Sequence, residues 1–581
     1  MKRRDLIIGG AGLASCVLLP TGCDWWRDRP NVNFPVPSTS LIDVHCHLFN
    51  GSDLPSVRFL KIVVAEAYPK EAVRVLDIED PDVLDGVIAI LLWIVGSTRA
   101  PTAVQEMNVL DKVAPAEARN ADHAANEAAV IDALTQMVAD GTVAVSGDMP
   151  ASSIRKARSA LFAAAEETEL SVSDGELSPV EAHAVAEKAY RSRFDLGILL
   201  RWFALFTRYR YVLSEQLAND YRREAFLPLL LCPALIDYDY WLGQYVDGTS
   251  LPDQVTIMGR LARRTSGPVV HGYVAFDPLR QVAHDLGKAP QFDPLQLVQH
   301  AIRDEGFLGV KLYPPMGFRA IGNNDQCQTY PDLPIIHEIA SSAEDDGIYS
   351  SCSPKPVRGS LVVGKKIDSA MERLFEFCTN QNACVIAHAN NSNGSNKDYG
   401  KRADPAYWIE VFKRWPTLHV NLAHFGSFNA ESASAKGVPM PEGSWEWELG
   451  RYLKGHVGAP VFADISFLTE IVGQSAEQLS KYGNMINRWI KEFDPACEHL
   501  LFGSDWLMLG ADPAYEGYTK RVEAFFRNYV RLDATQMGRL FSQNAARFLG
   551  LREGDAVRNR LLQFYTKYGV PLSRLPNLSG A

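Results

Sequence analysis

Two histidines one residue apart, His45 and His47, close the apolar run Leu41–His45 near the start of the chain. On a strand, alternate side chains share a face, so both imidazoles point one way and Cys46 the other. Neutral imidazole is a common metal ligand, and two on one side make half of a metal site. With 13 histidines in 581 residues, such a pair alone is close to what chance supplies. Three further groups at the ends of later apolar runs give it meaning. His388 ends the run from Cys384, His424 ends the run from Leu418, and Asp505 ends the run from Leu500. Imidazole and carboxylate gathered in this way suit a bound divalent cation and the proton transfers around it. Lys311, His271 and Asp277 lie in or beside other apolar runs and are candidates for contact with substrate. For His271, Asp277, Asp237, Asp239 and Asp464 the alternative is capping or filling, and that stays open. Ser351 and Cys352 resemble a nucleophile loop only superficially, because no partner base accompanies them.

These residues need a scaffold that brings strand ends together. Eight short apolar runs recur: Leu41–His45, Phe226–Ile236, Val269–Phe276, Phe307–Tyr313, Cys384–Ala389, Leu418–His424, Val461–Ser466 and Leu500–Asp505. Runs apolar on both faces and separated by helix-like segments are what a buried parallel sheet requires. Eight of them in βα alternation predict an α/β fold of the TIM (β/α)8 barrel type over residues 41–552, whose catalytic groups sit at the C-terminal ends of the strands. A plain barrel needs about 250 residues, so large insertions are expected. The main one, 51–225 between strands 1 and 2, reads as mostly helical, with helical periodicity at 122–141 and 181–217, and is expected to cap the site. Its apolar run 83–96 is too short to span a bilayer. A second insertion covers 318–365 and includes an apolar turn at 334–340. Residues 535–551 read as closing helices and 553–581 as a C-terminal tail.

Residues 1–23 read as an export signal: a basic start (Lys2, Arg3, Arg4), then an apolar stretch from Leu6 to Leu19. Arg3-Arg4 resembles a twin-arginine signal. The ending Leu19-Pro20-Thr21-Gly22-Cys23 resembles a bacterial lipobox with Cys23 as the lipidated residue. A linker, 24–40, follows. The expected location is the periplasm or the membrane surface of a bacterium, with the membrane touched only through that anchor. Nine cysteines occur, two of them (Cys16 and Cys23) in the signal, and no CxxC pair is present. The remaining odd number is expected to be buried free thiols rather than a disulfide framework. The net charge of -11 without a long basic run gives nucleic-acid binding no support. The expected partner is a small-molecule substrate.

The segments IDVHCHLFN, VIAHANNSNG, WPTLHVNLAHFG, LLFGSDW and NAARFLGL resemble, in order and placement, the amidohydrolase-related family (amidohydrolase 2). That family includes aminocarboxymuconate-semialdehyde decarboxylase and many metal-dependent hydrolases. The resemblance covers about 41–50 and 226–552. It implies one divalent metal ion, commonly zinc, held by His45, His47, His388 and Asp505, with His424 just outside as general acid/base. Asp505 would both ligate and accept a proton. Lys311 contacts an anionic substrate group, or as a carboxylated lysine bridges two metals, or is structural. The leading expectation is hydrolysis of a C–N or C–O bond (amide, lactone or ester). Non-oxidative decarboxylation of an aromatic or unsaturated acid on the same site is the alternative. A lipid-anchored binding protein without catalysis is a third reading, disfavoured by the intact ligand set.

Overall fold

A computed structural model of the protein describes residues 34–53, 100–112, 205–206, 208–243, 248–341, 352–356, 359–391, 394–425, 444–511, 515 and 517–578. Residues 1–23, expected to be an export signal, the run 83–96, most of the insertion 51–225 and Ser351 lie outside these residues.

Each of the eight runs contains a strand: β1 (Thr39–Cys46), β2 (Phe226–Pro233), β3 (Tyr273–Ala275), β4 (Gly309–Leu312), β5 (Cys384–His388), β6 (Val420–Ala423), β7 (Val461–Asp464) and β8 (Leu500–Leu501). Among the described residues all strand pairings are parallel, in a two-stranded sheet β1-β2 and a six-stranded sheet in the order β3-β4-β5-β6-β7-β8. Isolated bridges Leu231↔Val270 and Ala234↔Tyr273 join β2 to the approach and start of β3. At the other edge, Val44 N–H donates to the Phe502 carbonyl (3.2 Å), and the Ser504 and Asp505 amides donate to the His45 carbonyl (3.1 and 2.7 Å). The molecule is thus an α/β protein of parallel sheets.

Period-2 alternation divides the core. Ile42, Val44, Leu230, Cys232, Tyr273, Ile386, Phe462 and Leu501 gather in one buried cluster. Their strand neighbours Leu41, Leu231, Val310, Val385 and Val461 belong to a second cluster that also takes in the helices. Each large side chain buried in this way is worth about 1.5–3 kcal/mol. Helices fall between the strands with side-chain caps where the sequence offers Ser or Asp, as at Ser250, Asp293, Ser444 and Ser475. Residues 553–581 are more than a tail. Helix Ala556–Tyr568 inserts Leu561, Phe564 and Tyr565 into the first cluster, at the N-terminal ends of the strands. The apolar turn expected at 334–340 is a helix, Pro334–Ala340, with proline at its permissive first turn.

The cysteine expectation needs one correction. Cys46, Cys232, Cys378, Cys384 and Cys497 are free and buried, but Cys327 and Cys352 form a disulfide. Both lie in loops of the segment after β4, with their Cα atoms 5.4 Å apart. A separation of 25 residues between two loop cysteines carries no local signal, so only the chain path reveals the pair.

Candidate metal centre

Backbone geometry at the C-terminal ends of β1, β6 and β8 sets the site. Asp43 on β1 accepts from the amides of His45 and Ser504 (both 3.1 Å) through Oδ1, and from the hydroxyls of Tyr221 (2.6 Å) and Ser504 (2.7 Å) through Oδ2. The HxH strand and the Asp505 loop are therefore clasped by one buried carboxylate. Burial pushes the Asp43 carboxyl up to about 6, against those four hydrogen bonds. Close approach also matters: a Cβ on Gly503 would lie 2.8 Å from the His45 Cβ and 3.2 Å from the Ser466 Cβ. His424 and Asp505 both adopt left-handed backbone, with φ of 67° and 56°. For non-glycine residues this costs roughly 1–3 kcal/mol each, and such strain clusters at functional sites. The hydrogen bond from the Asp505 N–H to the His45 carbonyl and that from the His424 N–H to Asp464 Oδ1 (3.0 Å) hold them there.

His47 Nδ1 lies 2.9 Å from the Ala234 carbonyl, which can only accept, so Nδ1 carries the proton and Nε2 a lone pair. That Nε2 is 3.1 Å from Asp505 Oδ1. His45 presents Nδ1 to Asp464 Oδ2 (3.2 Å), again an acceptor, which leaves its Nε2 bare and 3.6 Å from the same Asp505 oxygen. Two lone pairs and a carboxylate oxygen thus converge among buried groups. Lys311 on β4 reaches in with Nζ at 3.0 Å from His45 Nε2. Three such acceptors this close need a proton or a cation between them. His45, His47 and Asp505 offer one ligand atom each, all within 4.8 Å of one another. Two nitrogens and one oxygen suit a divalent ion with an open position, so the residues fit the metal that the sequence resemblance implies. His45, His424 and Asp464 are also close enough together, but the Ser466 hydroxyl stands among them and bonds to all three.

His388 and His424 lie one ring further out. The His424 ring is 4.9 Å from that of His45 and 4.7 Å from that of His388, which stacks on Tyr313 at 4.4 Å. His388 is outside the tight three-residue cluster, although it lines the same group of rings. Burial keeps the imidazoles neutral: His45 falls to about 4, helped by the nearby Lys311 charge, His388 falls well below its usual value and His424 falls as well. Burial also lowers Lys311 to about 8, opposed by Asp505 and Asp464. Asp505 remains below the usual carboxylate range despite burial, because His47, His424 and His45 face it.

The two remaining candidates separate. His271 precedes β3, at the opposite end of the strands, where Nδ1 meets the Gly306 carbonyl (2.7 Å) and Nε2 the Tyr565 hydroxyl (2.9 Å). It is a buried tie to the C-terminal helix, and the expected substrate contact is corrected accordingly. The strand run was right, but the residue begins it rather than ends it. Asp277 follows β3 and lines a small cavity with Asp237, Lys311, Tyr313 and Met316. Its Oδ1 accepts from Trp241 Nε1 (2.7 Å) and the Leu279 amide (2.9 Å), while its Oδ2 has no hydrogen-bond partner. Burial, then the Asp237 charge, pushes the Asp277 carboxyl up to about 8. Arg280 binds Asp237 with two bonds (both 2.7 Å) and Asp239 with one (2.8 Å), so those two aspartates form an ion cluster. Ser466 and Asp43 escaped the sequence reading. Period 2 was the available signal: Ser466 lies two residues after Asp464, and Asp43 two before His45.

Residues 296–551 match the family model Amidohydro_2, described as amidohydrolase. No curated protein sequence is significantly similar to the chain. Among solved structures, a protein of Lactobacillus casei ATCC 334 described as a metal-dependent hydrolase is 14% identical, with a TM-score of 0.36 over 88% of this chain and 96% of that one. The 5-carboxyvanillate decarboxylase of Sphingomonas paucimobilis is 13% identical, with a TM-score of 0.33 over 63% of this chain and 95% of that one. A zinc-bound amidohydrolase of Burkholderia multivorans is 13% identical, with a TM-score of 0.33 over 60% and 91%. His45 and His47 precede the family match. The amidohydrolase resemblance read from the motifs holds over residues 296–551, the part of the chain that carries Lys311, His388, His424, Asp464 and Asp505.

Proposed function

We propose that the protein is a metal-dependent enzyme of the amidohydrolase type that hydrolyses a C–N or C–O bond of a small molecule. The convergence of His45 Nε2, His47 Nε2 and Asp505 Oδ1, with Lys311 Nζ beside His45 Nε2, carries this reading. One divalent ion, zinc by the resemblance, would be held by these three with His388 beside them, and would supply Lewis acidity and a water of lowered pKa. His424, neutral and buried, would move a proton between that water and the leaving group. Asp505 would hold a proton in passing, and Lys311 would orient an anionic or carbonyl oxygen of the substrate. Deep burial of the set strengthens each of these interactions.

The bridges from β2 to β3 and the bonds from β1 to the residues after β8 support reading the two sheets as one closed (β/α)8 barrel, with 51–225 and 318–365 as insertions. The Cys327–Cys352 disulfide supports an oxidising compartment, consistent with residues 1–23 as an export signal and Cys23 as a lipid anchor.

Metal analysis of purified protein tests the centre. Wild type is expected to hold about one equivalent of zinc, in line with a three-ligand site, and His45→Ala/His47→Ala none. Equal contents would end the proposal. Lys311 in the cavity favours a second reading, decarboxylation, because it offers a cation to a substrate carboxylate. Release of CO2 from aromatic acids, absent in Lys311→Met with zinc retained, would establish that reading over hydrolysis.

A further inference from the structure

Ser466 touches three of the groups at the centre, and its hydrogen-bonding capacity is limited enough to assign every proton. Its Oγ is 2.9 Å from His45 Nδ1 and 2.9 Å from His424 Nδ1, and it donates to Asp464 Oδ1. A hydroxyl has one hydrogen and two lone pairs. Asp464 Oδ1 also receives the His424 and Ser466 amides (both 3.0 Å), and Oδ2 receives Asn421 Nδ2 (2.7 Å). Each donor surrounding this carboxylate requires it to accept, so the single Ser466 hydrogen goes to Asp464. Both lone pairs are then left for the two imidazoles, which must present Nδ1–H. Independent neighbours agree: His424 Nδ1 is also 3.3 Å from the Ser466 carbonyl, and His45 Nδ1 is 3.2 Å from Asp464 Oδ2. The opposite tautomer of either ring would set a nitrogen lone pair against an oxygen lone pair.

We infer that Ser466, oriented by Asp464, is a positioning residue that fixes His45 and His424 as the Nδ1–H tautomer, so that His45 offers a bare Nε2 to the metal and His424 a bare Nε2 to a proton. The inference rests on the metal-centre reading above and deepens it. His424 begins its cycle as a proton acceptor, at Nε2, and the proton it gains there is the one it later returns. One hydroxyl also couples the ligand to the proton carrier, because it accepts from both rings at once. A residue that only filled space would set neither tautomer.

The test uses the metal-free protein with 15N-labelled histidine at pH 8, where long-range 15N–1H correlation spectra distinguish the tautomers. Assignment comes from single His→Gln variants. Wild type is expected to show Nδ1–H for His45, His424 and His47. In Ser466→Ala, His45 keeps only the longer contact to Asp464 Oδ2 (3.2 Å) and His424 only that to the residue-466 carbonyl (3.3 Å), so a measurable Nε2–H fraction is expected to appear on both rings, while His47, held by the Ala234 carbonyl, stays unchanged and reports an intact fold. Zinc affinity of Ser466→Ala is expected to fall about 10–100-fold, as for other groups that orient a metal-bound histidine. Asp464→Asn, which leaves the serine in place but frees its hydrogen, is expected to disturb the same two rings. Nε2–H on either ring in wild type would overturn the inference. So would unchanged tautomers and zinc affinity in Ser466→Ala. Because the spectra are read without metal, they stand apart from the zinc content of His45→Ala/His47→Ala, on which the functional reading itself depends.

Discussion

Single atoms decide what the strand-end residues can do. His271 and Asp277 flank β3, yet one is tied to a carbonyl and a tyrosine at the far end of the strands and the other lines the cavity beside Lys311. Asp277 keeps one oxygen occupied and one unpartnered. Its carboxyl, raised by burial to about 8, holds in the folded state a proton that the unfolded chain has released. It therefore costs stability progressively as pH rises from the ordinary carboxylate range, near 4, towards 8. Asp277→Asn has no proton to lose. The melting temperature of this variant minus that of wild type is expected to grow by about 2 °C or more between pH 5 and pH 8. A difference that stays flat or shrinks across that range would refute the account.

At the scale of elements, the segment after β1 is anchored to the scaffold by one buried cluster. Arg210, on helix Arg210–Arg223, pairs with Asp53 and with Glu106 of helix Ala103–Lys112, and Asn50 adds a bond to Glu106 at 3.1 Å. Burial pushes Glu106 up to about 7 even beside this arginine. The two carboxylates depend on one guanidinium. Arg210→Ala leaves them buried and unpaired, which is expected to cost about 3–5 kcal/mol, measured by denaturant unfolding. A loss below about 1 kcal/mol, the scale of an exposed pair, would show that the cluster is not a tie. The eight strands and their order were legible because burial on both faces demands unbroken apolar runs. The cluster was not, because Asp53, Glu106 and Arg210 are far apart in sequence and none has a periodic signature.

Across the whole molecule, one feature closes the core by hydrophobic burial and another ties a segment covalently. Helix Ala556–Tyr568 closes the end of the strands opposite the candidate metal centre. The Cys327–Cys352 bond closes a loop of 25 residues on the segment after β4, whose neighbours Pro315 and Gly317 contact the loop that follows β5. Cross-linking a loop of this length is worth about 3 kcal/mol in the chain-entropy account. Wild type is expected to melt several degrees lower in reductant, and Cys327→Ser/Cys352→Ser is expected to melt there already and to be insensitive to reductant. Equal sensitivity of the two proteins would remove the bond from the account of stability.

The sequence by itself determined the strands, their parallel character and the identity of His45, His47, His388, His424, Asp505 and Lys311 as strand-end groups. Periodicity and residue type are local properties, and a chain buried on both faces writes them plainly. Only tertiary structure decided which of these groups meet: His45, His47 and Asp505 closely, His388 and His424 a ring further out, Asp277 at the cavity and His271 at the other end. It alone produced Ser466 and Asp43 as the residues that orient the set, and the pairing of Cys327 with Cys352. The reason is physical. A hydrogen bond or a disulfide depends on distance and direction between atoms hundreds or tens of residues apart, and only the folded path of the chain fixes either.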